Sequence, residues 1–358
     1  MNYRILTVKD EVDWDLALKR LPIDQQDIYF TSQYYKLYQQ NGDGEARCFI
    51  YENDGKILLY PFLINSVNSL GYELDKEYYD IQGAYGYNGI VTSSNSEKFI
   101  SEFYKYFYDY CVSENIITEF VRFHPVLKND IISSKFFHLT HKRSTVVIDI
   151  SRSYDIIWSN FYTSNNRNMI RKANRNGCKI IVINKPSISD IRQFYLNYVD
   201  RMKAVNAEDY YYFNMEYFIN LFRFFEDRIY LFKVLDIKGE TVCYSIFFHF
   251  NNYFHYHLSS RSINAENCVN NYLLDEAVKF AKDLGAVWFH LGGGRSTTKG
   301  DTLLKFKENF SKEKLVFHVG EKILNKDVYD IVVNQWVEKH SNSYARNKKL
   351  LQGYRNVL

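Results

Sequence analysis

Little in this 358-residue sequence marks it for export, for membrane insertion or for duplex nucleic acid. Cysteine is sparse. The five residues, Cys48, Cys111, Cys178, Cys243 and Cys268, lie far apart with no C-x-x-C pair, the pattern of reduced core thiols in a cytosolic protein. No run of about 18 uninterrupted apolar residues exists, so no transmembrane span is expected. The opening MNYRILTVKDEVDWD is charged throughout and does not read as a signal peptide. An excess of one charge is also lacking. The net charge of +3 is too mild for the strongly basic face that DNA requires, although it leaves room for a local basic patch. The one glycine cluster, LGGGRSTTKG, follows a predicted strand but has neither G-x-G-x-x-G nor G-x-x-x-x-G-K-[ST] spacing. Neither half alternates strand and helix from a Gly-rich first turn, which argues against a doubly wound dinucleotide fold. No Ser/His/Asp or Cys/His arrangement is visible.

What is present is an ordinary globular composition, 46% apolar and 24% charged, in a chain long enough for two cores. The same order of elements occurs twice. In CFIYENDGKILLYPFLI (48–64) two apolar runs flank Asp54-Gly55, a hairpin signal. A long loop follows, then a helix over 96–114 with Phe99, Phe103, Tyr106 or Phe107, and Tyr110 at helical spacing, then a strand from Ile116 to Phe123. In IYLFKVLDIKGETVCYSIFFHF (229–250) two apolar runs flank Lys238-Gly239. The strand YFHYHLSS (253–260) follows, then a helix in NNYLLDEAVKFAKDLG stopped by Gly285, then the strand AVWFHL (286–291). Each half reads hairpin, loop, helix, strand. The expected fold is α/β (α+β), divided into 1–150, 151–340 and a basic tail or final helix over 341–358. The helix from Asp327 to Lys339 can also pack back on the first domain, making it discontinuous.

Four segments of the second half resemble the Fem-type and GNAT-like acyltransferases, a superfamily that includes peptidoglycan-bridge aminoacyltransferases (FemAB-like) and BioF2-like proteins. They are the basic stretch Asn166–Cys178, His257-Leu258-Ser259-Ser260 with Asn270-Asn271-Tyr272-Leu273-Leu274, Gly285–Gly294, and Leu304-Lys305-Phe306-Lys307-Glu308-Asn309-Phe310. Fainter matches in the first half are Tyr60-Pro61-Phe62, the loop Gln82–Gly89 and Arg122-Phe123-His124-Pro125. The resemblance implies two tandem GNAT-like domains with mixed, mostly antiparallel sheets and a cytoplasmic N-acyltransferase, such as an N-acetyltransferase. Its acyl-CoA donor would sit in the second domain and a nucleotide-linked or glycan acceptor from the cell envelope in the first. An aminoacyl-tRNA donor is the nearest variant, and a non-catalytic binding module that kept the fold is the alternative from another class. No coiled-coil arm of the kind some tRNA users carry is seen, and the Gln82–Gly89 loop lacks the family's usual Gly-Pro pair.

In such a fold the donor is already activated, so orientation supplies much of the rate and no dedicated nucleophile is needed. The segment Cys268-Val269-Asn270-Asn271 matches the helix start that holds a donor pyrophosphate, and it reads equally as an Asn-capped helix. The donor-binding set is Ser260, Val269, Asn270, Asn271, Arg167, Arg171, Lys172 and Lys305. The cations Arg167, Arg171, Lys172 and Arg175 share a helix face that serves either as a solvated surface or as a phosphate clamp. Lys305 and Lys307 diverge by about 200° on a helix, and the motif selects Lys307 as the phosphate or oxyanion partner. His255 and His257 alternate on a strand. A metal there lacks a third ligand at useful spacing, and no metal is expected. His257, sharing a face with Ser259, is the candidate general base. The catalytic set is therefore His257, Ser259 and Lys307. In the first half Tyr85, Tyr87, Asn88, Arg122 and His124 form the candidate acceptor surface.

Overall fold

The computed structural model of the chain describes residues 2–295 and 300–357. It divides into two compact units: unit 1 is Met1–Lys142 with Phe317–Leu358, and unit 2 is Arg143–Val316. Unit 1 begins with strand β1 (Tyr3–Thr7), helices α1 (Glu11–Lys19) and α2 (Ser32–Gln40), and the hairpin β2 (Glu45–Asn53) and β3 (Lys56–Ser66). It continues through β4 (Tyr79–Gln82), β5 (Val91–Thr92), α3 (Glu97–Ser113), β6 (Ile116–Arg122) and α4 (Asn129–Ser133). The chain crosses to unit 2 in β7 (His138–Asp149). There it forms α5 (Tyr154–Ile156), α6 (Ser164–Arg175), β8 (Lys179–Ile183), α7 (Ile188–Ala204), α8 (Met215–Phe225) and β9 (Ile229–Leu235). It goes on through β10 (Thr241–Phe250), β11 (Tyr253–Arg261), α9 (Cys268–Asp283), β12 (Trp288–Gly293) and α10 (Thr302–Glu308). The chain returns to unit 1 in β13 (Lys314–Ile323) and ends with α11 (Lys326–Lys339), α12 (Ser341–Asn347) and a 3-10 turn, Gly353–Arg355.

Both units repeat one topology. In unit 1 the strand order is β1-β2-β3-β4-β6-β13, and in unit 2 it is β8-β9-β10-β11-β12-β7. Each sheet is mostly antiparallel with one parallel pair of strands, β4 with β6 and β11 with β12. Each parallel pair brackets a long helix, α3 or α9. The unit boundaries depart from the cuts near 150 and 340 read from the sequence. The chain leaves unit 1 at Lys142 and re-enters at Phe317 because Val319–Ile323 hydrogen-bonds to β6 and α11 buries Val328, Val332 and Trp336 against Val67, Tyr72, Tyr78 and Ile117. A pattern of apolar spacing identifies these elements but carries no information about which distant strand completes which sheet.

Local chemistry explains the elements. Asp54 and Gly55 both adopt positive φ, 50° and 73°, which suits the two-residue hairpin turn between β2 and β3. α3 turns Phe99, Phe103, Phe107 and Tyr110 inward onto Phe49, Tyr51, Tyr60 and Phe62 of the hairpin. Each fully buried Phe contributes roughly 1.5–3 kcal/mol. α9 buries Leu273, Leu274, Ala277, Val278 and Ala281 in the unit 2 core. The chain leaves that helix through Gly285, at φ 79°. Among the described residues no helix is long and apolar enough to cross a membrane.

Candidate functional site

Two features of β11 create an opening in unit 2. The parallel pairing with β12 ends at His255 and His290, while β11 runs on to Arg261. In the ladder with β10, Leu258 lies opposite Ile246 and Tyr256 opposite Phe247, so His257 is the extra residue of a β-bulge. The bulge advances the side-chain alternation by one. Tyr256 and Ser259 therefore share the face of Phe247 and Ser245, and Ser245 Oγ donates to Ser259 Oγ at 2.9 Å. His257 goes to the other face, where its ring lies 4.7 Å from that of Phe248 and a ring nitrogen 3.4 Å from the Tyr217 hydroxyl. The sequence reading put His257 and Ser259 on one face, and the bulge separates them.

Where the strands part, a pocket of about 510 Å³ opens beside the start of α9. Its apolar wall is Met169, Tyr256, Leu303 and Phe306, and its polar wall includes Asn165, Asn267, Asn270 and Asn271. Four cations line it: Arg201 from α7, Arg261 at the end of β11, Arg295 just beyond β12 and Lys305 from α10. Among the described residues none of the four has a carboxylate within ion-pairing distance. Burial lowers the pKa of Arg201, and the neighbouring charges of Arg261 and Arg295 lower it further. Like charges gathered without counter-ions form a site for an anion.

Of the wall residues, Arg261 has a buried Nε with no partner among the described residues. Ser260 Oγ is orphaned too but lies on the opposite face of β11 from Tyr256 and Arg261, and Asn166 Nδ2 is orphaned behind the wall. Asn166 Oδ1 accepts from Asn271 Nδ2 at 2.6 Å, which ties that donor to the pocket wall. The N-cap residue of α9, Asn267, makes no side-chain cap; its Oδ1 accepts instead from Arg261 Nη1 at 2.6 Å. The positive end of a sixteen-residue helix thus faces the same cations. Ligand oxygens that accept hydrogen bonds, in phosphate or carbonyl groups, match this set of donors. Burial pushes the Tyr256 phenol up to about 12 and the Cys243 thiol, 3.1 Å from Asn270 Oδ1, also up to about 12, so both stay protonated at neutral pH. Cys268 is likewise pushed up by burial and is no thiolate nucleophile.

Of the residues singled out in the sequence, Asn270, Asn271 and Lys305 line the pocket. Ser260 is buried next to Arg261, and Val269 lies in the apolar core. The basic helix turns elsewhere. Arg167 Nη1 donates to the carbonyls of Trp158, Ser159 and Tyr162, Arg171 stacks 5.4 Å from the Trp158 ring, and Lys172 pairs with Glu266 at 2.5 Å. Lys305 lines the pocket. Lys307, the motif choice, is 6% exposed, donates to the Gly293 carbonyl at 2.7 Å and places its Nζ 5.6 Å from the ring of the pocket residue Tyr256. Ser259 donates to the Tyr244 carbonyl at 3.1 Å. Burial, reinforced by His255, drives His257 down to about 3, far below the basicity that a general base needs at neutral pH.

Arg201, Tyr256, Arg261 and Arg295 were missed. A signal existed for two of them, since Arg261 and Arg295 follow the carboxyl ends of the two parallel strands, where open α/β sheets place ligands. Of the LGGGRSTTKG segment, residues 296–299 lie outside the described residues.

In unit 1 the candidate acceptor residues come together around the loop 83–89, mostly bound to one another and to their neighbours. Asn88 is fully buried; its N–H donates to the Arg122 carbonyl at 2.7 Å and its Oδ1 accepts from the Arg122 N–H at 2.8 Å. Gly83 is required there, because a Cβ would stand 2.2 Å from the Asn88 side chain. Arg122 Nη1 donates to the Gly83 carbonyl at 3.3 Å. Tyr87 packs edge-on to Tyr29 and His124, both at 5.4 Å, and the Tyr85 carbonyl accepts from the Tyr34 hydroxyl at 2.6 Å. His124 Nδ1 accepts from the Leu127 N–H at 3.1 Å, so its Nε2–H donates to Asp27 at 2.8 Å, both side chains being fully buried.

No protein-family model matches the sequence, and no curated protein matches it. Solved structures do. FemX is similar at a TM-score of 0.71 and 14% identity, covering 92% of this chain and 99% of its own. The C-terminal domain (DUF2156) of a putative lysylphosphatidylglycerol synthetase from Agrobacterium fabrum is similar at 0.53 and 12%, covering 92% and 94%. L-PGS from Bacillus licheniformis is similar at 0.53 and 13%, covering 85% and 91%. With its repeated mixed sheets, each with one parallel pair bracketing a long helix, this chain has the Fem-type, GNAT-like acyltransferase fold.

Proposed function

We propose that the protein is an N-acyltransferase that takes an acyl or aminoacyl group from a phosphate-bearing donor and moves it to an amine of a cell-envelope or glycan precursor. The observation that carries this is the unit 2 pocket, where Arg201, Arg261, Arg295 and Lys305 meet the start of α9 beside the parting of β11 and β12. Phosphates would be held by these cations, Arg261 also offering its unpartnered Nε. The carbonyl of the donor would lie along the free edge of β11 near Tyr256. Orientation next to an incoming neutral amine is then the main catalytic contribution. The reaction forms a C–N bond, breaks the thioester or ester bond, and passes the amine proton to the leaving group. Unit 1, with Tyr85 and Arg122 at its 83–89 loop, is assigned to the acceptor.

Two donor classes fit. Acyl-CoA is the first; the uncompensated charge of four cations also favours aminoacyl-tRNA, whose binding would fall steeply with salt. The test is calorimetric titration with coenzyme A, acetyl-CoA and a charged tRNA at 50 and 200 mM salt. Product mass is then measured with an amine-bearing cell-wall precursor. Binding of one donor class, weakened about tenfold in Arg201→Ala, with an acylated product supports the proposal. Binding without any product would make the chain a non-catalytic module, and no binding of either donor would overturn the anion-site assignment.

A further inference from the structure

One cation of the unit 2 pocket is held in a set orientation. Arg261 Nη1 donates to Asn267 Oδ1 at 2.6 Å, the guanidinium's one hydrogen bond among the described residues. The side chains of Arg201, Arg295 and Lys305 make none there. Arg261 reaches the pocket face through the β-bulge. Residues 256 and 261, an even and an odd position, would face opposite ways on a regular strand, and the extra residue His257 brings them to one face.

The tether fixes geometry without cancelling charge. Asn267 stands where α9 begins, but its backbone is already helical, at φ −60° and ψ −29°, and its side chain caps no N–H of the helix. An asparagine in the capping role has extended backbone and accepts from the second or third N–H of the helix; this oxygen goes to Arg261 instead. The adjacent carboxylate, Glu266, is occupied by Lys172 at 2.5 Å and by Asn176 Nδ2 at 2.9 Å. A neutral amide oxygen therefore orients Arg261 and leaves its charge for a ligand, where a carboxylate would neutralise it.

With Nη1 held, the edge formed by Nε and Nη2 is left over, and Nε is buried without a partner among the described residues. Arg355 shows what this edge does in the same chain. Its Nε lies 2.9 and 2.7 Å from the two oxygens of fully buried Asp80, and its Nη2 lies 2.5 Å from Oδ1. Two N–H donors in one rigid plane match two oxygens of a single phosphate or carboxylate.

We propose that Asn267 is a positioning residue, which holds Arg261 by Nη1 so that Nε and Nη2 grip two oxygens of one phosphate of the ligand. This rests on the assignment of the pocket to a phosphate-bearing donor and adds how one phosphate is recognised. The test is calorimetric titration of the full-length chain with coenzyme A, inorganic pyrophosphate and a charged tRNA, continued through the variants with each probe that wild type binds. Asn267→Ala should weaken binding about fivefold and keep the wild-type salt dependence, because no charge is removed. Its melting temperature should match wild type, because no cap bond is lost. Arg261→Lys should weaken binding about tenfold, since an ammonium keeps the charge and lacks the fork. Asn267→Ala added to Arg261→Ala should cost nothing beyond Arg261→Ala alone; should Arg261→Ala not fold, Arg261→Lys takes its place in the cycle. Asn267→Asp keeps the tether and should flatten the salt dependence by supplying a counter-charge. Wild-type affinity in Asn267→Ala, with or without a lowered melting temperature, would overturn the tether, as would losses that add in the double variant. Those results leave the phosphate pocket standing, whereas a wild type that binds none of the three probes removes the pocket assignment and the tether together.

Discussion

Glu119 offers the sharpest test of the unit 1 core. It lies on β6, fully buried, with Oε1 accepting from the Tyr60 hydroxyl at 2.7 Å and Oε2 without a partner among the described residues. Tyr60 of β3, Tyr104, Tyr108 and Cys111 of α3 and Lys322 of β13 surround it. Lys322 is turned away, donating to the Phe136 carbonyl at 3.1 Å and lying 3.9 Å from the centre of the Tyr108 ring. Burial is the dominant effect and pushes the carboxyl from its ordinary 4.5 up to about 8, against the smaller pull of Tyr60 and Lys322. A carboxyl whose folded value is raised keeps its proton in the folded state and loses it in the unfolded chain. The stability it contributes is complete below pH 4.5, is lost as pH rises, and is gone above about 8. The slope is about 1.4 kcal/mol per pH unit, and about 5 kcal/mol in total over that window.

Glu119→Gln removes the titration while keeping an acceptor for Tyr60. Its constant offset cancels in the slope, so the stability of the variant relative to wild type should climb by about 1.4 kcal/mol per unit between pH 5 and 8 and then level off. Urea unfolding at half-unit pH steps, in a Trp158→Phe, Trp288→Phe background, leaves Trp14 and Trp336 to report unit 1. A difference that does not vary with pH, or that falls as pH rises, would refute a neutral carboxyl in the core.

Other expectations follow from the unit 2 pocket. Arg201→Ala should weaken donor binding about tenfold and flatten its salt dependence, with a melting temperature unchanged or slightly raised because a like charge is removed. Calorimetry and thermal shift read both, and unchanged affinity would count against the site. Lys305→Ala should reduce donor affinity with little effect on stability, whereas Lys307→Ala should cost about 1–3 kcal/mol of stability through the loss of its bond to the Gly293 carbonyl; a reversal in paired melting and binding assays would refute this division of roles. His257 stays neutral through the physiological range, so turnover between pH 5 and 8 should show no inflection that His257→Asn removes. The same lowered value means that stability is present above pH 6.5 and lost as pH falls toward 3; melting curves of wild type and His257→Asn should converge at high pH and separate on the acid side.

From the sequence alone, the elements whose cause is local were legible. The Asp54-Gly55 hairpin, the apolar face of α3 and the Gly285 exit of α9 each follow from a few adjacent residues, and their recurrence in the same order carried the duplicated α/β fold. Three things depended on tertiary structure. The return of the α11 helix to the first domain was among the readings the sequence allowed, but the completion of the unit 1 sheet by β13 and the Arg355 grip on Asp80 join residues about two hundred positions apart or more, and no periodicity encodes that pairing. The bulge at His257 inserts one unpaired residue, invisible in the amino-acid string, yet it reverses which side chains of β11 meet the pocket. The convergence of Arg201, Arg261, Arg295 and Lys305 depends on four elements being packed together, because a shared electrostatic field is a property of distances in space and not of separation along the chain.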